Sequence, residues 1–93
     1  MAALMVVCYD IADDRRRLKV SKLLENYGRR VQKSIFECRL DGNRQRELQN
    51  RMGRLIKAEQ DQVAYYVLCP KDEVDIKLDG AGDVLIDLPF YLI

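Results

Sequence analysis

The residues with most to offer chemically gather in the first forty positions. Asp10 closes an apolar run and stands directly before a loop that opens a helix, a place where sites on sheet proteins collect. A carboxylate there could ligate a divalent cation. Mg²⁺ takes a few carboxylates plus waters, however, so one aspartate makes a poor site unless symmetry brings a second Asp10 opposite the first. Taken alone, an aspartate just past a strand is equally an ordinary turn or capping residue. Arg15, Arg16 and Arg17 fall in the first turn of the helix that follows, where the helix dipole disfavours cations by about 0.3–1 kcal/mol each. Either Asp13 and Asp14 neutralise them or they are there to bind phosphate. Lys19, Lys22, Arg29 and Arg30 extend the basic surface. Further on, Arg46, Asn50, Gly53 and Lys57 share one face of a second helix with Arg54 adjoining. That face could track a nucleic-acid backbone or simply be solvated. Tyr9 and Phe36 are the aromatics nearest these groups; core packing is the default for both, although a base could stack on either.

Several chemistries are excluded outright. The chain contains no histidine, which removes Ser-His-Asp and Cys-His catalysis and imidazole metal ligation. Cys8, Cys38 and Cys69 are odd in number, lack C-x-x-C spacing and lie in apolar runs, so they read as small core residues rather than disulfides or zinc ligands. Gly80-Ala81-Gly82 neither precedes Lys-Ser/Thr nor opens a helix, so it is no phosphate loop. The net charge of +1 hides an asymmetry: residues 1–60 hold 14 Lys and Arg against 8 Asp and Glu, residues 61–93 only 2 against 7. The first two thirds could face an anion, or the opposite faces could pair with each other or across a dimer.

At 93 residues the chain is one small domain that buries only about 60–65% of its unfolded surface, so self-association is expected to help it. No apolar stretch is long enough to span a bilayer, and Met1 to Tyr9 has no basic residue before its apolar run, so no membrane role is expected and the expected location is the cytoplasm. Leu4 to Tyr9 reads as a buried central strand. Asp13 or Asp14 caps a helix from Asp14 to Tyr27, with Val20, Leu23, Leu24 and Tyr27 as its apolar stripe and Gly28 as a left-handed C-terminal cap. Arg30 to Leu40 is strand, long enough to bend into two near Phe36 or Glu37. Asn43 caps a second helix running to about Ala58 through Leu48, Met52, Leu55 and Ile56; Gly53 inside it costs about 1 kcal/mol relative to Ala. Gln62 to Cys69 is a strand stopped by Pro70, and Val74 to Asp79 alternates as another, before a turn at Gly80 to Asp83. Val84 to Ile93 is an extended segment that Pro89 confines to an edge or an arm.

The order β-α-β-β-α-β with an extra carboxyl-terminal strand predicts an α+β, ferredoxin-like fold: an antiparallel sheet with two helices on one face. Residues 1–80 form the domain. Residues 81–93 form an apolar arm expected to add to another protomer's sheet, which predicts a two-fold homodimer.

At these residues the sequence resembles a known family. Tyr9-Asp10-Ile11-Ala12-Asp13-Asp14-Arg15-Arg16-Arg17, then Leu23-Leu24 and Tyr27-Gly28, then Arg30-Val31-Gln32-Lys33-Ser34-Ile35-Phe36-Glu37-Cys38, closely resemble the CRISPR-associated protein 2 family. The first forty residues carry the specific motifs; beyond Leu40 the resemblance rests on element order and on Tyr65-Tyr66-Val67-Leu68-Cys69. The resemblance implies a ferredoxin-like homodimer that works with CRISPR-associated protein 1, the integrase subunit, in capturing spacers from foreign DNA. It also implies a metal-dependent endonuclease acting on RNA or double-stranded DNA. Asp10 matches the family's catalytic, metal-binding aspartate, expected to hold Mg²⁺ or another divalent cation with its symmetry mate. Tyr9, Arg17, Arg30, Ser34 and Phe36 match positions used around that site, Lys19 matches a basic position more loosely, and Arg16 lies within the same motif. Lys33 stands where many relatives carry an aromatic or apolar residue, and could add a phosphate contact. Two alternatives stay open: an architectural DNA-binding subunit without catalysis, and a toxin-like ribonuclease dimer of the same fold.

Overall fold

The computed structural model describes residues 2–68 in full and the backbone course of 74–80. Seven elements follow in the order β1 (Ala3–Asp10), α1 (Asp14–Glu25), β2 (Gly28–Gln32), β3 (Ile35–Leu40), α2 (Gly42–Leu55), β4 (Gln62–Leu68) and β5 (Val74–Gly80). They form one five-stranded sheet in the order β2-β3-β1-β4-β5, antiparallel at every junction, so the ferredoxin-like α+β arrangement expected from the sequence is present. The arm at 81–93, the turn at Gly80 to Asp83 beyond its first residue, Cys69 and Pro70 lie outside the described residues.

The central strand β1 is apolar because both its faces are covered. Met5, Val7 and Tyr9 join Phe36, Cys38, Leu40, Val63, Tyr65 and Val67 in a core capped by Val20 and Leu24 of α1 and Leu48 and Met52 of α2. Val6 and Cys8 point the other way, into a second buried cluster with Ala64 and Tyr66. Because side chains alternate along a strand, Asp10 shares the face of Val6 and Cys8, opposite its neighbour Tyr9. The thiols of Cys8 and Cys38 are both fully buried, and burial pushes each up to about 11, with Glu37 adding to the shift at Cys38. Neither is a nucleophile at neutral pH.

Four local expectations are corrected. Helix α1 starts at Asp14 with Asp13 as its cap, whose carboxylate accepts from the Arg16 amide at 2.9 Å, but it ends at Glu25 rather than Tyr27. Gly28 is not a left-handed cap: it already lies in β2, opposite Cys38. A Cβ on Gly28 would stand 2.1 Å from the Glu37 carbonyl oxygen and 2.7 Å from Cys38 Sγ, so close strand approach, not a turn, requires glycine. The break between β2 and β3 falls at Lys33-Ser34, not at Phe36 or Glu37, because Phe36, Cys38 and Leu40 must all reach the helix side of one unbroken strand. Helix α2 is capped by Asp41, whose carboxylate accepts from the Arg44 amide at 2.8 Å; Asn43 sits inside the first turn and accepts from the Arg46 guanidinium instead.

The two helices run antiparallel. Tyr27, just past the end of α1, lies under the Arg44 guanidinium at the start of α2, 4.9 Å from its ring centroid. At the other end the start of α1 is joined to the segment after α2 through Asp61. No helix among the described residues is long and apolar enough to cross a membrane.

Candidate nucleic-acid and metal site

The β2–β3 hairpin brings its turn against the end of β1 and the start of α1. Between them opens a cleft of about 230 Å³ lined by Tyr9, Asp14, Arg17, Leu18, Ser21, Arg30 and Lys33. Four residues singled out from the sequence, Tyr9, Arg17, Arg30 and Lys33, therefore meet in one place. The hub is the Lys33 carbonyl, which accepts from the Tyr9 hydroxyl at 3.2 Å and from Arg30 Nη1 at 2.7 Å. The Tyr9 amide donates to the Ser34 carbonyl at 3.0 Å, so the turn is pinned to β1 by main chain and side chain together.

Phe36 supports this site from below. It is fully buried, stacks beside Tyr9 with ring centroids 6.3 Å apart, and lies under the Arg30 guanidinium at 5.1 Å. It has no surface on which a base could stack. Its part is to hold Arg30 by a cation–π contact worth about 0.5–2 kcal/mol. Tyr9 is nearly as buried, and that burial raises its phenol above its ordinary value, with the charges of Arg30 and Arg17 pulling the other way. At neutral pH it is a neutral hydroxyl.

The three arginines of the first turn separate in function. Arg17 donates to the Asp14 carboxylate and, at 2.9 Å, to the Ile11 carbonyl, which ties it to the loop behind Asp10 while it lines the cleft. Arg16 turns away from the cleft. Its Nε and Nη2 donate to Asp61 at 2.9 and 3.2 Å, and Nη2 also reaches Gln60. With its side chain only 17% exposed, it is a bracing residue rather than a phosphate contact. Arg15 is exposed, as is Lys19, which does not line the cleft. Ser34 contributes its backbone to the turn. On α2, Arg44 and Arg51 are neutralised by Glu47, whereas Arg54, and Lys57 just beyond the helix, have no acidic partner among the described residues.

Asp61 was not legible as a functional position. It is fully buried and accepts four hydrogen bonds, from the Ala12 amide at 3.0 Å, the Lys57 amide at 2.8 Å and twice from Arg16. Burial alone would raise its pKa. The bonds from Arg16, Lys57 and Ala12, with the Arg16 charge, outweigh it and hold the carboxyl below the ordinary 3.8.

Asp10 ends β1 opposite Gln62, exposed and without a hydrogen bond or ion pair among the described residues. Among the described residues, no group of three potential metal ligands gathers there. An exposed carboxylate of this kind could serve as one ligand of Mg²⁺, which keeps several waters and takes one or two carboxylates.

The family model for CRISPR associated protein Cas2 matches residues 1–76. The chain belongs to this family. It is 49% identical over 65 residues to CRISPR-associated endoribonuclease Cas2 3 of Synechocystis sp., covering 70% of this chain and 71% of that one. The fold superimposes on Streptococcus pyogenes Cas2 at pH 6.5 with a TM-score of 0.67 and 30% identity, over 71% of this chain and 86% of that one. It also matches a chain of a partial Cas6-RT-Cas1–Cas2 complex with a TM-score of 0.64 and 29% identity, over 75% and 82% of the two chains.

Proposed function

We propose that this chain is a CRISPR adaptation subunit that binds nucleic acid as a homodimer beside a Cas1 integrase partner, and that paired Asp10 carboxylates make it a Mg²⁺-dependent endonuclease on RNA or duplex DNA. The observation that carries the reading is the convergence of Arg17, Arg30 and Lys33 in one cleft at the end of β1, the strand that also ends in an uncommitted Asp10 on its other face. The endoribonuclease name of the Synechocystis relative and the Cas1-containing complex support it.

Arg30 and Lys33 on the hairpin and Arg17 on α1 would hold phosphates of the strand, the first rigidly because Phe36 and the Lys33 carbonyl fix its guanidinium. Tyr9, held neutral and already donating to the Lys33 carbonyl, can still accept a hydrogen bond at the cleft floor. Asp10 and its symmetry mate would hold the metal, which when bound supplies Lewis acidity towards the scissile phosphate.

Labelled duplex DNA and single-stranded RNA, incubated with Mg²⁺ or EDTA and with wild type or Asp10→Ala, test the reading. The expected result is metal-dependent cleavage that Asp10→Ala abolishes while binding survives. Binding without cleavage by either protein supports a second reading, an architectural subunit, for which the cationic cleft alone would suffice. Lys33→Gln is expected to weaken binding to all sequences alike and to reduce the log–log salt slope by about 0.9 per protomer. An unchanged slope would remove Lys33 from the interface.

A further inference from the structure

Asp61 lies on the opposite side of α1 from the cleft, yet three of its four bonds end on the two segments that carry the site. The Ala12 amide it accepts from is two residues past Asp10, and Arg16 is the residue before Arg17. The third segment it grips, through the Lys57 amide, follows the end of α2 and is itself held to Asp61 by that residue's own amide donating to the Lys57 carbonyl at 2.8 Å. The loop from Ile11 to Asp13 has no sheet partner beyond Asp10. Ile11 is buried in the core, and three polar ties set the rest of the loop's course: Ala12 to Asp61, Arg17 to the Ile11 carbonyl, and Asp13 to the start of α1. Of these, only the Asp61 tie reaches a separate part of the fold.

We propose that Asp61 is a positioning residue: through Ala12 and Arg16 it fixes the loop behind Asp10 and the first turn of α1, and so sets where Arg17 enters the cleft. The proposal rests on the reading of that cleft as the nucleic-acid site. A carboxylate is needed for this because it alone can accept from two amides and a two-pronged guanidinium at once. Asparagine in the same place would keep one acceptor oxygen and present an NH₂ to donors. Lysine in place of Arg16 would keep the charge but lose the fork.

The test compares wild type, Asp61→Asn, Arg16→Lys and Leu48→Ala, the last a core truncation remote from the loop, at a temperature where circular dichroism shows each folded. Amide hydrogen exchange by mass spectrometry reads the segment 11–17, and binding of labelled RNA and duplex DNA is measured with and without Arg17→Ala in each background. Exchange at 11–17 is expected to rise at least tenfold in Asp61→Asn, less in Arg16→Lys, and no more than elsewhere in Leu48→Ala. Asp61→Asn is expected to weaken binding at least fivefold, and the loss caused by Arg17→Ala is expected to shrink in that background, because a misplaced arginine has less to lose. Additive losses would make Asp61 a stability residue only and overturn the proposal. Unchanged protection at 11–17 would overturn it whatever the protein binds. If wild type binds no nucleic acid, the functional reading falls, and with it the role assigned to Arg17.

Discussion

Asp61→Ala is expected to remove about 3–5 kcal/mol of folding stability, a large share of the roughly 5–15 kcal/mol that a domain of this kind possesses. The substitution leaves the Arg16 guanidinium mostly enclosed without its counter-ion and strips the Ala12 and Lys57 amides of their acceptor. Urea unfolding at pH 7 measures the loss; a change below about 1 kcal/mol would mean that water substitutes for the carboxylate. Acid adds a second signature. The folded-state pKa of Asp61 is depressed, so its stabilisation is complete above the ordinary value of 3.8 and disappears as pH falls through the lowered one. The gap between wild type and Asp61→Ala should therefore be full at neutral pH and narrow below about pH 4.

The second large effect is expected at Gly28. An alanine there would place its Cβ against the Glu37 carbonyl and the Cys38 Cα, both backbone positions of β3, which no rotamer change can relieve. Gly→Ala ordinarily stabilises by about 0.4–1 kcal/mol through the unfolded chain where the backbone permits it. Here overpacking of about 1–3 kcal/mol or more outweighs that gain, because β2 must lift away from β3. Arg30 lies two residues along β2, so nucleic-acid binding should weaken together with the melting temperature. A melting temperature equal to or above wild type would show that β2 has room the structure denies it.

Much of this was legible because the signals are local. The apolar runs that became β1 and β4, the Asp13 cap of α1 and the apolar stripes of both helices each need only a few neighbouring residues to be read. The hairpin break was misplaced because Arg29, Arg30, Gln32 and Lys33 interrupt any period-two pattern, and the register shift between Arg30 and Gln32 adds a residue that alternation cannot anticipate. Gly28 was noticed for the wrong reason, since the constraint comes from a strand ten residues away. Phe36 reads from the sequence as core by default, with a stacked base as the alternative; packing decides it, sealing the ring beneath Arg30. Asp61 stood out least, as an acid before an apolar run looks solvated until Arg16 arrives from 45 positions earlier.

The strand order also governs how the molecule is made. The β2–β3 hairpin closes over two residues and can form within microseconds, but the central strand pairs with β4 across about fifty intervening residues, Asp10 with Gln62. A ribosome adding about 5–20 residues per second leaves β1 with one edge unpaired for roughly 3–12 s after its emergence. Throughout that interval Val6 and Cys8 lack the Ala64 and Tyr66 that bury them. The nascent chain is therefore most prone to aggregation before β4 is complete, and slowing translation between residues 30 and 60 should lower soluble yield more than slowing it after residue 70.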